Sequence, residues 1–340
     1  KRGTAVTVAG AVMALAMLGL FAMPAPVAPV LWFALMLTLV FSAFSFLTIC
    51  FYAQGVAKAD SLPGAGHLTL ARWRETGALL GVCLASVAPL LLGVGLDRPF
   101  AGFAVGFAIL ALWATVAMRG EWRAAVLPME SGFGTVLRDA QARRLLLIAL
   151  VNAAPVAVTS TLFLFYVELA LEAPGGEGPL LLLFFLAAAA AAPLWGILAE
   201  QHGPRRVLLV AMALGIASFG GALLLGPGDV ALFALVCLAS GAVLGADLTL
   251  LPAMFASRMA QISPSAAEGF GLWSFVSKLT LAFAAVALLP ALERAGLQTA
   301  AGTSSDTSIS LLIWFYAGVP CALKLLAIAL LASAKDVETP

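Results

Sequence analysis

A chain of 340 residues would ordinarily make two soluble domains, but 63% hydrophobic residues, 10% charged residues and a mean hydropathy of +1.07 lie outside soluble composition. At about 20 apolar residues per crossing, the length admits at most about a dozen membrane helices, and a water-soluble fold is excluded. The formal net charge of +1 gives no reason to expect a nucleic-acid partner, so the expected surroundings are a lipid bilayer.

The 32 glycines and 18 prolines sit inside otherwise continuous Leu, Ala, Val and Phe runs. This favours helices over the short alternating strands of a membrane barrel, and the chain reads as an all-α polytopic membrane protein. It opens Lys1-Arg2-Gly3 with no initiator Met and no signal peptide, as a fragment or a truncated chain would. Four apolar stretches of spanning length come first: Thr4 to Met23, Val30 to Tyr52, Leu70 to Leu92 and Phe100 to Met118. Residues 119–143 are the least apolar stretch of comparable length and read as a linker. Six more stretches follow: Leu145 to Leu171, Leu180 to Ala199, Val207 to Leu225, Val230 to Ala256, Gly269 to Leu292 and Ser308 to Ala334. The expected organisation is a four-helix unit over residues 1–118 and a six-helix bundle over residues 144–340. Cys50, Cys83, Cys237 and Cys321 each lie in an apolar run without CxxC spacing, so they read as packing residues. Neither a metal nor another cofactor is expected.

Placing the amino terminus inside puts fourteen Lys and Arg on the cytoplasmic side and only Arg98 and Arg294 on the other, with Lys278 and Lys324 inside helices. That asymmetry predicts cytoplasmic termini and a cytoplasmic linker, as expected for a bacterial inner (plasma) membrane protein.

Ionisable residues inside hydrocarbon are costly and mark functional sites by default. Lys278 and Asp247 each lie about nine residues, or ~13 Å at 1.5 Å per residue, from the cytoplasmic ends of two consecutive antiparallel helices. At matched depth they can form a structural ion pair, or either can bind a polar solute. Arg74 stands near a helix start, where snorkelling and a cavity-facing role are both open. Lys324 is expected to snorkel, and Glu168 to be solvated at the outer interface. Asn152 and Tyr166 can be cavity hydrogen-bonders or interhelical contacts, and Trp273 lies about a turn and a half from Lys278. In the loop from Gly196 to Arg206, Glu200 ends one helix, Gly203 permits a tight reversal, and Arg205 with Arg206 opens the next helix. An acid and bases so placed can clip helix ends together in one conformation and release them in another; the plainer reading is a generic basic turn.

This loop resembles the cytoplasmic signature of the major facilitator superfamily, and several stretches are similar to its glycoside-pentoside-hexuronide cation symporter branch, which includes the melibiose carriers. They are Arg72 to Gly77, Asn152 to Pro155 with Phe163 to Val167, Pro193 to Trp195, Gly245 to Asp247 with Leu251 to Ala253, and Gly271 to Trp273 with Lys278. The resemblance implies two six-helix bundles around a midplane site, with the ten helices here equivalent to the third to twelfth. It also implies that Arg74 and Lys278 line the cavity. Where the branch often has Asp before Ile-Pro-Phe-Trp in its fourth helix, this chain has Thr48; a sodium site of the melibiose-carrier type then lacks a carboxylate. The function implied is secondary transport of a sugar or related small polar organic solute by alternating access, with H+ or Na+ symport. In that reading Arg74, Asn152, Tyr166, Asp247, Trp273 and Lys278 bind the solute, while Glu200, Gly203, Arg205 and Arg206 gate it. Two other readings are a non-transporting truncated remnant and a membrane lipid-modifying enzyme. The enzyme has little support, because His67 and His202 are isolated loop residues.

Reporter fusions after Leu96, Gly176 and Gly228 are expected to read as outside, and fusions after Gly64 and His202 as inside. A consistent reversal would overturn the charge-based orientation.

Overall fold

The computed structural model describes residues 2–59, 62, 64–123, 132–262, 266–294 and 306–334. Lys1, Lys335 and residues 124–131 of the expected linker lie outside the described residues.

Among the described residues ten helices are long and apolar enough to cross a membrane. They begin with α1 (Arg2–Phe21), α2 (Pro29–Ala59), α3 (Gly66–Leu92) and α4 (Pro99–Ala117), which runs into a 3-10 turn over Met118–Arg123. A short α5 (Phe133–Arg138) precedes α6 (Ala140–Phe165), whose last turn widens to π geometry over Tyr166–Ala170. Then come α7 (Glu177–His202), α8 (Pro204–Ala222), α9 (Val230–Ile262) and α10 (Ala267–Arg294). The final crossing is α11 (Asp306–Ile313) and α12 (Val319–Ala332), joined by a π turn over Trp314–Gly318. Several helices run past the apolar windows. At 31 residues, α2 spans about 45 Å at 1.5 Å per residue, against a hydrocarbon core of about 30 Å. Helical hydrogen bonding continues through Gln54 and Lys58, which an apolar window does not register.

Helices α1 to α4 pack on one another, and α6 to α12 form a second bundle in which α9 packs on α6, α7 and α8. Glycines set the closest of these approaches. A Cβ on Gly245 of α9 would stand 2.6 Å from the Ala188 carbonyl oxygen of α7 and 3.1 Å from the Ala192 nitrogen. Gly241, one turn earlier, lies against the Phe184 carbonyl in the same way, which is how small residues let membrane helices approach. The Trp195 indole reinforces this contact by donating to the Ala242 carbonyl at 2.7 Å.

The two bundles meet where α3 touches α7 and α9, and where α2 touches α9 and α10. We call the end carrying α5, the α7–α8 turn and most of the arginines the basic end. There one apolar cluster joins both bundles, with Ala53, Val56, Leu68 and Ala71 packed with Ala199, Leu250, Met254 and Phe270. Toward the opposite end, the cluster around Leu162, Tyr166, Phe233 and Tyr316 is built from the second bundle alone. Between them Leu79 of α3 sits on Ala188, Ala189, Ala192 and Leu244.

Replacing Gly245 with Val is expected to cost about 1–3 kcal/mol through overpacking, lowering the thermal unfolding midpoint in detergent. Gly220→Ala, with no atom within 4 Å of the added carbon, should leave it nearly unchanged. Equal midpoints would show that the α7–α9 approach is looser than described.

Candidate functional site

The seam at the basic end is built from short-range geometry. Gly196 of α7 lets α3 come close, since a Cβ there would stand 3.0 Å from Cβ and Cδ of Arg72. One turn later Glu200 receives Arg72 Nη1 at 3.1 Å and the Thr69 hydroxyl at 3.2 Å. This is an ion pair between bundles, and it joins the acid singled out in the sequence to Arg72, a base to which the sequence reading gave no gating role. Gly203 ends α7 at φ +86°, in the left-handed region that favours glycine, and Pro204 then opens α8. Arg205 is tied to the end of α12. Its Nε and Nη2 donate to the Leu331 and Ala332 carbonyls at 3.2 and 2.7 Å, capping the end of α12 where helix carbonyls carry partial negative charge. Both Arg205 and Arg206 line a cavity of about 740 Å³ with His67, Glu200 and Arg258. Glu200 and Gly203 thus stand at the contact between the bundles, and Arg205 bonds to the end of α12.

A second tie fixes the start of α6. Asp139 caps that helix by accepting from the Ala142 nitrogen at 2.7 Å, and it also receives Arg258 Nε at 3.0 Å and Nη2. The Arg258 hydrogen bonds hold the Asp139 carboxyl below its ordinary range.

At mid-depth, Lys278 of α10 is exposed between the bundles and donates to the Ser45 hydroxyl of α2. Trp273, nearer the basic end, packs its ring on Phe255 at 5.1 Å between centroids. Phe270 meets Tyr52 of α2 at 4.8 Å, and the Tyr52 hydroxyl donates to Glu75 Oε1 at 2.9 Å. Arg74 completes this group, with Nε 2.7 Å from Glu75 Oε1 and its guanidinium 3.6 Å from the centre of the Tyr52 ring. Its Nη2 is buried without a hydrogen-bond partner. Arg74 thus neither snorkels nor stands alone in a cavity; it is held beside the seam by a carboxylate and a ring.

Three expectations are corrected. Asp247 does not pair with Lys278; it pairs with Lys324 of α12, and the same ammonium donates to Asn152 Oδ1 of α6 at 2.7 Å. Lys324 does not snorkel, being 1% exposed. Depth counted from the helix ends could not choose between two lysines, since the partner depends on which helix packs behind α6 and α9. Tyr166 is a core residue, not a solute contact. Its hydroxyl donates to the Ala222 carbonyl at 2.7 Å, and its ring stacks on Tyr316 at 4.1 Å. Of the six solute-site residues expected, only Lys278 is exposed between the bundles; Asn152 and Asp247 lie behind its wall, and Glu168 is exposed as expected. Sequence reasoning missed Arg72, Glu75, Tyr52 and Ser45. A carboxylate directly after Arg74 was the available signal for Glu75.

A sequence model of the family described as MFS/sugar transport protein matches residues 2–335. No curated protein matches. Among solved structures, a bacterial homologue of the iron transporter ferroportin in an outward-facing state is similar with a TM-score of 0.71 at 14% identity, covering 99% of this chain and 84% of its own. The proton:xylose symporter XylE, bound to 6-bromo-6-deoxy-D-glucose, is similar with a TM-score of 0.58 at 12% identity, covering 98% and 80%. At these identities the likeness concerns the fold.

The Asp139 tie carries a pH signature. A carboxyl with a lowered folded pKa contributes its stability fully above the unfolded value of about 3.9 and loses it as pH falls through the folded value. The Asp139→Asn variant is expected to unfold at a lower temperature than the parent at neutral pH, with the gap closing in strong acid. A gap that does not narrow would show that the Arg258 interaction is not the source.

Proposed function

We propose that this chain, which belongs to the MFS/sugar transport protein family, moves a sugar or related polar organic solute across the membrane by alternating access, coupled to H+ or Na+. It is a transporter rather than an enzyme. The observation that carries the reading is the seam: apolar packing and the Arg72–Glu200 pair join the bundles at one end, while Lys278 stands exposed between them at mid-depth. A rocking motion that breaks this seam and closes the opposite end would expose the same mid-depth site to the other side.

In this mechanism Lys278 is the polar group that meets the solute, through an ammonium whose described partner is a neutral hydroxyl and which can exchange that bond for a solute oxygen. Trp273 and the Tyr52–Phe270 contact form the apolar floor toward the sealed end. Arg74, with Glu75, stiffens α3 where it faces Tyr52 of α2, so its contribution is to hold the floor. The basic end is assigned to the cytoplasm, with both termini there, because positive charge is retained on that side of a membrane. In this arrangement the mid-depth site would open away from the cytoplasm. The chain's place is the bacterial inner membrane.

In proteoliposomes, uptake of labelled hexoses, pentoses, glycosides and hexuronides tests the reading. At least one should accumulate under an inward proton or sodium gradient. Loss of a charge-assisted hydrogen bond worth about 1.5–3 kcal/mol should lower that uptake roughly ten- to hundredfold in Lys278→Ala at equal insertion. If none of the panel accumulates, or if Lys278→Ala takes up solute like the parent, the proposal fails.

A further inference from the structure

The buried group formed by Asn152, Asp247 and Lys324 is not used by the mechanism above. It is built from three helices of the second bundle, α6, α9 and α12. Lys324 donates to Asp247 Oδ2 and to Asn152 Oδ1, and its stem lies against Gly215 of α8, where an added Cβ would stand 3.7 Å from Cε. The second carboxylate oxygen, Asp247 Oδ1, is buried with no hydrogen-bond partner. Packing does not demand such a group. Buried ion pairs can often be replaced by apolar residues of similar volume without loss of stability, and an intramembrane ionisable residue is costly to keep.

We infer that this triad is the proton-binding site of the carrier, and that its protonation is linked to opening of the seam. With one carboxylate and one ammonium the shut triad is neutral. A proton arriving on Asp247 Oδ1 makes the carboxyl neutral and leaves the Lys324 ammonium with two neutral acceptors, Asp247 Oδ2 and Asn152 Oδ1, and no counter-charge, a net positive charge in a low-dielectric interior. Loss of a proton from Lys324 leaves the opposite charge. Either change favours a conformation in which the group reaches water. The chemistry selects a proton over a metal cation, because the ammonium already holds Asp247 Oδ2 and Asn152 Oδ1, while hard cations take about six or more oxygens.

The link to the seam runs along α9. Leu244 and Leu248, flanking Asp247, pack with Leu79 of α3, and Ala246, Leu250 and Leu251 belong to the apolar cluster shared by both bundles. A shift of this segment that hydrates Asp247 also disturbs the contact with α3. Asn152 of α6 and Gly215 of α8 face the pair, and Cys321, about one turn from Lys324 on α12, turns its thiol to the Ile216 carbonyl at 3.6 Å. His67 and His202 line the basic-end cavity, so any effect of theirs must be separated from that of the triad.

The coupling role rests on the transport reading, but the test needs no solute. In a background with its four cysteines replaced, Ala71→Cys places a thiol within the seam, where Ala71 is 1% exposed. Its alkylation by N-ethylmaleimide is followed in proteoliposomes across the pH range. A seam linked to one proton should change its alkylation rate by up to about tenfold per pH unit, after correction for thiolate content. The Asp247→Asn, Lys324→Gln double variant, neutral throughout, should be pH-independent. Asp247→Leu with Lys324→Met serves equally if the first pair does not insert. A parent with no corrected pH dependence, or a neutral variant that keeps it through the histidines, would overturn the inference. Sugar uptake alongside a pH-insensitive seam would refute the triad alone and leave the transport reading intact.

Discussion

The arrangement depends on where the two bundles are joined. Joining them along their full length would bury more apolar surface and leave no room for a solute; joining them at one end leaves mid-depth accessible from the other. Here the shared apolar cluster lies at the basic end, and its edge is held by Arg72, Thr69 and Glu200. Both parts are breakable. A partly exposed ion pair contributes on the order of 1 kcal/mol or less, and the apolar contact is non-directional packing that can separate as a unit. An interface of this kind can be bistable, because close-packed surfaces exchange between discrete arrangements rather than deforming continuously.

The second bundle has a different character. Gly241 and Gly245 lock α9 to α7 at backbone distance, Arg205 fastens α8 to the end of α12, and Lys324 ties α12 to α6 and α9 from within. The second bundle is therefore stiff, and α9 is at once its centre and its contact with α3. A charge change at Asp247 acts on the helix that also forms the seam. In the proposed coupling, the triad is where a proton would influence access.

Much of the fold was readable from the sequence because the bilayer imposes it. Every spanning backbone must satisfy its own hydrogen bonds, so apolar runs of sufficient length become helices, and all ten predicted crossings are present. The candidate site was only partly readable. Lys278 was identified by its depth and Glu200 by its position at a helix end. Depth could not show that α12 packs behind α6 and α9, so Lys324 was assigned to the interface when it is the partner of Asp247. The same gap hid Arg72, whose acid is more than a hundred residues away in the chain. Tyr166 looked like a site residue because a polar tip in an apolar run is ambiguous. Its place opposite Tyr316 depends on two π turns that no periodicity in the sequence announces.

Spin-label distances across the α3–α7 contact address the central claim directly. One label pair, on Trp73 and Leu198, reports the basic end, and another, on Leu90 and Leu181, reports the opposite end; all four side chains are exposed. Without solute the basic-end pair should give one short, narrow distance and the opposite pair a longer one. On adding a transported sugar with a cation gradient, the first should lengthen as the second shortens. Distances that rise and fall together, or that do not respond, would contradict an alternating seam.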